Sequence, residues 1–342
     1  MKNALTVPQK TLTLLLCLFM TVSVLGGCGR REPFVRTLFA LDTVVSVTYY
    51  DSRDAEAIAK IPERLEYYEG IFSRTRKGSE LYEINARLAE AAAEGLTDVR
   101  LPLSLEMYQA LSLALEYARL TDGAFDPTLG RLSELYNFSG SQHTVPSEAQ
   151  RTEILSHCGY ENLRVENAPS SAWPWHLTVE DPAIVIDLGG MAKGYIADRL
   201  KEELLAEGVT GAILNLGGNV LVLGKKPDGG PYTVGVAKPE AGSSDYLITF
   251  PLSDASAVTS GSYQRFFEEN GVIYHHILDP GTGLPAQSGL KSVTVVAECS
   301  AVADILSTAL FVMGKDAGTA FLEGFPEIEV YFVDEQGALI RD

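Results

Sequence analysis

Asp304 and Thr308 lie four residues apart in the apolar stretch Ala301-Val302-Ala303-Asp304-Ile305-Leu306-Ser307-Thr308-Ala309-Leu310. On a helix that spacing puts a carboxylate and a hydroxyl on one face. Hard oxygens so placed suit Mg2+, which usually keeps waters or substrate phosphates in the rest of its shell. The pair also has a local explanation, with Asp304 capping or hydrogen-bonding nearby and Thr308 bonding back to its own helix.

A second candidate is Val185-Ile186-Asp187-Leu188-Gly189-Gly190-Met191-Ala192-Lys193-Gly194-Tyr195, which reads as a strand, a glycine turn and a helix start with Lys193 inside it. Glycines let backbone N–H groups approach an anion, and a helix N-terminus adds favourable potential. The spacing is neither a phosphate-binding loop of the Walker type nor a dinucleotide fingerprint, so a plain tight turn is the alternative. The pattern has an echo in Asn215-Leu216-Gly217-Gly218.

In Tyr274-His275-His276-Ile277-Leu278-Asp279-Pro280-Gly281-Thr282-Gly283, strand alternation sends the two histidines to opposite faces, which makes them a poor metal pair. One can act as a base on a hydroxyl, with a carboxylate such as Asp279 stabilising its charged form; a structural histidine beside a turn is the other reading. Thr259, Ser260 and Gly261 offer hydroxyls and a glycine for a phosphate site, or form an ordinary polar turn.

The elements that must position these groups follow from periodicity. Strands are expected at 43–50, 183–187, 212–216, 232–237, 246–251, 272–278, 292–297 and 328–333, and helices at 191–207 and from about 300 to 313. Ile58, Ile61, Leu65 and Tyr68, and again Tyr108, Leu111, Leu115 and Ala118, recur at helical spacing as core stripes. Several strands succeed one another without an intervening helix, so the expected class is α+β, one compact body with mixed or antiparallel sheet.

A net charge of -18, from 45 acidic against 27 basic residues, repels phosphate backbones and argues against nucleic-acid binding. An anionic ligand then needs local help from a cation, a lysine or a helix N-terminus. Lys2 and Lys10 precede an apolar run that closes on Leu25-Gly26-Gly27-Cys28. The run is shorter than the roughly 20 residues of a membrane-spanning helix and looks like a bacterial lipoprotein signal over 1–27, with Cys28 lipidated, a tether over 28–36 and the body outside the cytoplasm. Cys158 and Cys299 form neither a disulfide framework nor a metal motif.

Taken in order, Phe39-Ala40-Leu41-Asp42-Thr43, Phe72-Ser73 with Ser79-Glu80-Leu81 and Ile84-Asn85, Asp122-Gly123-Ala124-Phe125-Asp126-Pro127-Thr128, the Asp187 and Asn215 segments, Thr259-Ser260-Gly261, the His275-His276 segment and the Asp304 segment closely resemble the FAD:protein FMN transferase family, the ApbE-like flavin transferase lipoproteins. The resemblance spans 37–342 as one transferase domain. It implies Mg2+ held by Asp304, Thr308 and a backbone carbonyl, that of Ala192, and FAD as substrate. Lys193 with Gly189 and Gly190 would lie near the pyrophosphate, and Leu41, Asp126, Gly217, Gly218, Thr259, Ser260 and Gly261 would help form the flavin site. Leu41 stands where many members carry Met, a change of similar volume. His276 would be the catalytic base with Asp279 in support, moving FMN to a threonine or serine hydroxyl of an acceptor protein, a membrane redox subunit, with release of AMP. Two alternatives use the same residues: an Mg2+-dependent FAD pyrophosphatase, and a non-catalytic FAD-binding lipoprotein.

Overall fold

Alternating β-branched and aromatic residues fold the start of the body into a hairpin, β1 (Phe34–Ala40) and β2 (Thr43–Tyr49), in register from Phe34 opposite Tyr49 to Ala40 opposite Thr43. The computed structural model describes residues 32–169, 173–239 and 245–340. Cys28 and the signal therefore lie outside the described residues. The first strand begins inside the segment read as tether, because Phe34, Val35 and Arg36 pair with Tyr49, Thr48 and Val47.

After the hairpin come α1 (Ala55–Ala59), α2 (Ile61–Phe72), α3 (Glu80–Ala93), β3 (Val99–Pro102) and α4 (Leu105–Leu120). Ser79 and Ser104 start α3 and α4 by accepting the amide N–H of Tyr82 and Met107. Next are α5 (Gly130–Tyr136), α6 (Glu148–Leu155), β4 (Leu163–Asn167), β5 (Trp175–Val179) and α7 (Ala192–Ala206). The chain continues through β6 (Gly211–Leu216), β7 (Asn219–Gly224), β8 (Tyr232–Ala237), β9 (Tyr246–Leu252) and β10 (Ser256–Gly261). It then forms β11 (Phe266–Glu269), β12 (Val272–His275), β13 (Leu290–Ala297), α8 (Ser300–Leu322), β14 (Glu329–Asp334) and β15 (Leu339–Ile340).

The main sheet has eight strands in the order β1-β2-β6-β7-β10-β13-β14-β15, every neighbour antiparallel. Both of its faces are covered, which is why β13 is apolar almost throughout. Val258, Val293 and Val295 pack against Leu306, Leu310 and Phe311 of α8. Their neighbours Ala257 and Val296 point the other way, onto Tyr232, Val234, Val236 and Leu252 of the β8–β9 pair. A larger core gathers α2, α3, α4 and α7 against β2 and β6. The expected α+β class holds, with antiparallel pairing among the named strands and, among the described residues, one parallel bridge, Leu129 with Val185.

Two expectations change here. The buried strand expected at 183–187 forms only an isolated bridge at Val185 and belongs to no sheet among the described residues. Asn85 takes the place of a neighbouring strand, its Nδ2 donating to the Ile186 carbonyl (2.9 Å) and its Oδ1 accepting the Ile186 N–H (2.8 Å). Gly130 N–H donates to Val185 O (3.0 Å) and Asp187 N–H to Pro127 O (2.8 Å). The last long helix does not stop at Met313. It kinks at Gly314 (φ 77, ψ 175) and runs on to Leu322.

Candidate active site

The centre of the site is where α7 and α8 cross. Gly194 lets them touch: a β-carbon there would lie 2.3 Å from the Ser300 carbonyl oxygen. Each helix carries a carboxylate that closes the other's N-terminus. Asp304 Oδ2 accepts the Gly194 N–H (2.9 Å), while Asp198 accepts the N–H groups of Ser300 and Ala301 (2.9 Å each). The Cys299 thiol also donates to Asp198. This reciprocal capping fixes the two helix starts against each other.

Asp304 is 4% exposed, and its other oxygen, Oδ1, has no hydrogen-bond partner among the described residues. One turn on, Thr308 Oγ1 lies 3.2 Å from Ser260 Oγ, which also bonds Ser307 Oγ at 2.7 Å. A buried carboxylate with one oxygen free, facing the same way as a threonine hydroxyl, is the oxygen chemistry that Mg2+ takes. Among the described residues no group of three or more His, Cys, Asp or Glu forms a metal cluster. A cation here would thus be completed by backbone, water or ligand oxygens, as suits a metal that binds together with phosphates.

The glycine turn closes over this face. A β-carbon on Gly190 would stand 3.5 Å from Thr308 Oγ1 and 3.1 Å from Phe125 Cε2, so a side chain there would crowd the phenyl ring. Ala192, expected to offer its carbonyl, is the first residue of α7, and its N–H donates to Leu188 O (2.8 Å). Within the turn it is Gly190 that lies against Thr308. Gly189 N–H donates to Asp187 Oδ1 (2.8 Å), and Asp187 Oδ2 meets Arg74 (3.3 Å).

The echo at Asn215 folds differently. Gly217 and Gly218 both have positive φ (63° and 95°) and make the two-residue turn between β6 and β7, whereas Gly189 and Gly190 do not. Beside that turn sits the β1–β2 turn. Leu41 and Asp42 hold φ of 54° without being glycine, and Leu41 N–H donates to Glu69 Oε1 (2.6 Å). The turns touch, since a β-carbon on Gly217 would lie 2.2 Å from Thr43 Oγ1. Thr259, Ser260 and Gly261 are the end of β10, not a turn. The Thr259 hydroxyl pairs with that of Thr294 (2.7 Å), and Gln264 bridges the Thr259 carbonyl (3.0 Å) toward Gly218.

The histidines part as alternation requires. His275 is buried edge-on to Phe311, with Nε2 3.2 Å from the Ala286 carbonyl. His276 is half-buried, and its Nδ1 lies 3.2 Å from the Arg265 carbonyl. A carbonyl accepts only, so Nδ1 carries the proton and Nε2 presents the lone pair. Dense protein around the ring, then the charge of Arg265, the neighbouring His275 and the charge of Lys193, pull its pKa well below the ordinary histidine value. Its remaining contact with water limits the size of that depression; the sign is enough to make the ring neutral at pH 7. Neither Lys193 nor Arg265 has a carboxylate partner among the described ion pairs.

Two predicted residues take other places. Asp279 does not bond His276: its Oδ1 accepts the Gly281 N–H (2.8 Å) and its Oδ2 the Thr282 hydroxyl (3.1 Å), which shapes the turn after β12. Asp126 likewise turns inward. Its Oδ1 accepts the Thr128 N–H (2.8 Å) and hydroxyl (2.6 Å), and its Oδ2 the Tyr160 N–H (3.1 Å). Burial pushes its pKa up while these donors oppose the rise. It therefore positions the loop that presents Phe125 to Gly190. Asn85, Gly194, Asp198, Arg265 and Ser307 are the site's unforeseen members, because each acts through a partner distant in the chain.

A sequence profile of the ApbE family matches residues 41–332. This chain belongs to the ApbE family. It is 31% identical over 331 residues to the FAD:protein FMN transferase of Treponema pallidum, covering 93% of this chain and 89% of that one. The FAD:protein FMN transferase of Klebsiella pneumoniae is 32% identical over 289 residues, with 84% and 85% covered. Among solved structures, the ApbE protein of Thermotoga maritima superposes with a TM-score of 0.79 at 35% identity, covering 91% of this chain and 97% of that one. The flavin transferase ApbE of Vibrio cholerae gives 0.75 at 26% identity, covering 91% and 96%. The ApbE-like fold expected from the motif series is thereby established.

Proposed function

We propose that this ApbE-family chain moves FMN from FAD to a threonine or serine hydroxyl of an acceptor protein, with Mg2+ and with release of AMP. It is a transferase, with FAD as flavin source and a protein as acceptor, as its curated relatives are named. The observation that supports this most is the shared first turn of α7: Gly194 bonds the candidate metal ligand Asp304, and Lys193, one residue earlier, acts electrostatically on the candidate base His276.

Asp304 Oδ1, the Thr308 hydroxyl and a backbone carbonyl of the glycine turn would hold Mg2+, which supplies charge neutralisation at a pyrophosphate. Lys193 and Arg265, cations without carboxylate partners among the described ion pairs in a protein of charge -18, draw the dinucleotide's phosphates and orient them. His276 takes the acceptor's hydroxyl proton at Nε2. The acceptor oxygen forms a bond to the FMN phosphorus, the phosphorus bond to the bridging oxygen breaks, and AMP leaves with that oxygen. Phosphate charge arriving beside the ring raises its pKa toward neutrality, so binding of FAD makes the base stronger when it is needed.

The apolar run ending at Cys28 supports an extracytoplasmic enzyme anchored by lipid, close to membrane redox subunits as acceptors. Cys28→Ala should move the protein from the membrane to the soluble fraction. Products separate the catalytic readings. With FAD, Mg2+ and a purified membrane redox subunit, AMP should appear in step with flavin bound to protein. Free FMN and AMP formed without acceptor would instead make the chain a pyrophosphatase, and FAD recovered intact would make it a binding protein.

A further inference from the structure

Among the described residues, the outer edge of β12, the strand that leads to His276, pairs with no other named strand. His276 N–H donates to the Arg265 carbonyl (3.1 Å), within the register that sets Phe266 opposite His275 and Glu268 opposite Ile273. In an antiparallel pair, backbone groups of alternate residues face alternate sides. Ile273 and His275 therefore turn their N–H and C=O away from β11.

On that far side the returning chain pairs only briefly. Asp279 N–H donates to Leu284 O (2.8 Å) and Ala286 N–H to Ile277 O (2.9 Å), and the segment then departs through Gly289 (φ 72). Over the face of the hairpin that Phe266, Ile273 and His275 share lies a cavity of about 340 Å³, lined also by Tyr263, Ser288 and Lys291. Phe266 and Ile273 stand at its surface 45% and 50% exposed.

Of its lining residues, His275 and Ser288 each carry a polar atom, Nδ1 and Oγ, that is buried with no hydrogen-bond partner among the described residues. The His275 residue is only 8% exposed. Since its Nε2 is turned to the Ala286 carbonyl, it carries its proton there, and Nδ1 is a bare acceptor.

An extended peptide supplies what this edge lacks: backbone donors and acceptors at strand spacing for Ile273 and His275, and apolar side chains for the exposed Phe266 and Ile273. We propose that the acceptor protein docks here as an added strand on the outer edge of β12, its hydroxyl-bearing residue leaving the sheet at the level of His276. Pairing with Ala286 closes the edge again from Ile277 onward, so the added segment must turn out of the sheet there. The proposal rests on the transferase reading, which says that a protein segment has to reach the base.

Ile273→Pro tests it, because proline removes the outward N–H and leaves the bonds to β11 in place; Ile273→Val is the control. The probe is a pool of short synthetic peptides, each with one central threonine, and the readout is FMN adducts by mass spectrometry beside FAD affinity by flavin fluorescence. Ile273→Pro should label the pool about tenfold more slowly at low peptide concentration and bind FAD within about twofold of the unaltered enzyme. In the unaltered enzyme, amide exchange at Ile273 and His275 should slow when the pool is added, a result that does not require the variant to fold. Equal labelling by Ile273→Pro with no slowing of exchange would overturn the docking site, and a loss of FAD affinity would give the cleft to the dinucleotide. No labelling by the unaltered enzyme would overturn the transfer reading itself, and the docking with it.

Discussion

Asp126, half-buried, and Asp304, buried, are both carboxylates beside the glycine turn, and they do opposite things. All of Asp126's bonds run to Thr128 and Tyr160, so its charge is consumed in holding a loop. Asp304 gives one oxygen to Gly194, and the other has no hydrogen-bond partner among the described residues. The difference teaches that burial alone does not mark the working acid. What marks the candidate is a carboxylate oxygen without a hydrogen-bond partner among the described residues, four positions along the helix from the hydroxyl of Thr308.

The largest effect expected from this contrast is at Asp304. Asp304→Asn keeps an oxygen for the Gly194 N–H but removes the charge, so FMN transfer at fixed Mg2+ should fall by about a thousandfold or more, roughly 4 kcal/mol. Its melting temperature should stay near that of the unaltered protein, measured by calorimetry. His276→Ala should follow, with a loss on the order of a hundredfold to ten-thousandfold in transfer rate and unchanged FAD binding. Asp126→Ala should do the reverse of Asp304→Asn. It strands the donors of Thr128 and Tyr160, so stability in urea should drop by about 3 kcal/mol while the folded fraction keeps its transfer rate. Lost transfer at full stability would place Asp126 in the chemistry and dissolve the contrast.

Smaller effects concern His276 and Asp279. Because burial and nearby cations lower the ring's pKa, the neutral, active form of the free enzyme persists as pH falls below the usual histidine range. The acid limb of kcat/KM should accordingly lie below pH 6.5, and Arg265→Gln, by removing a positive charge, should shift it upward. For folding the sign is opposite: the unfolded ring protonates first, so stability present above about 6.5 is lost as pH drops toward the folded value. Asp279→Asn should change transfer by less than about threefold and leave the pH limb in place. A downward shift of that limb would restore Asp279 as the support of His276.

Much of this site was legible from local pattern. Helical spacing placed Asp304 and Thr308 on one face, strand alternation separated His275 from His276, and the strands over 212–216 and 232–237 fell where expected. What stayed hidden was long-range partnership. Nothing near residue 186 announces that Asn85 stands in for a strand, nor does Asp198 show that it caps a helix beginning at Ser300. The two Gly-Gly steps look alike in the sequence. They diverge because one joins hairpin strands, which needs positive φ, and the other opens a helix. Asp279 misled for the opposite reason: its nearest donors, in its own turn, claim it before the histidine can.

The most direct test of the central claim is the intact mass of a purified acceptor protein after incubation with FAD and Mg2+, using the unaltered enzyme and Asp304→Asn in parallel. The account predicts acceptor carrying one covalent FMN and an equal amount of AMP with the unaltered enzyme, and neither with the variant. An adduct formed by Asp304→Asn at the normal rate, or FMN and AMP released with the acceptor's mass unchanged, would contradict it.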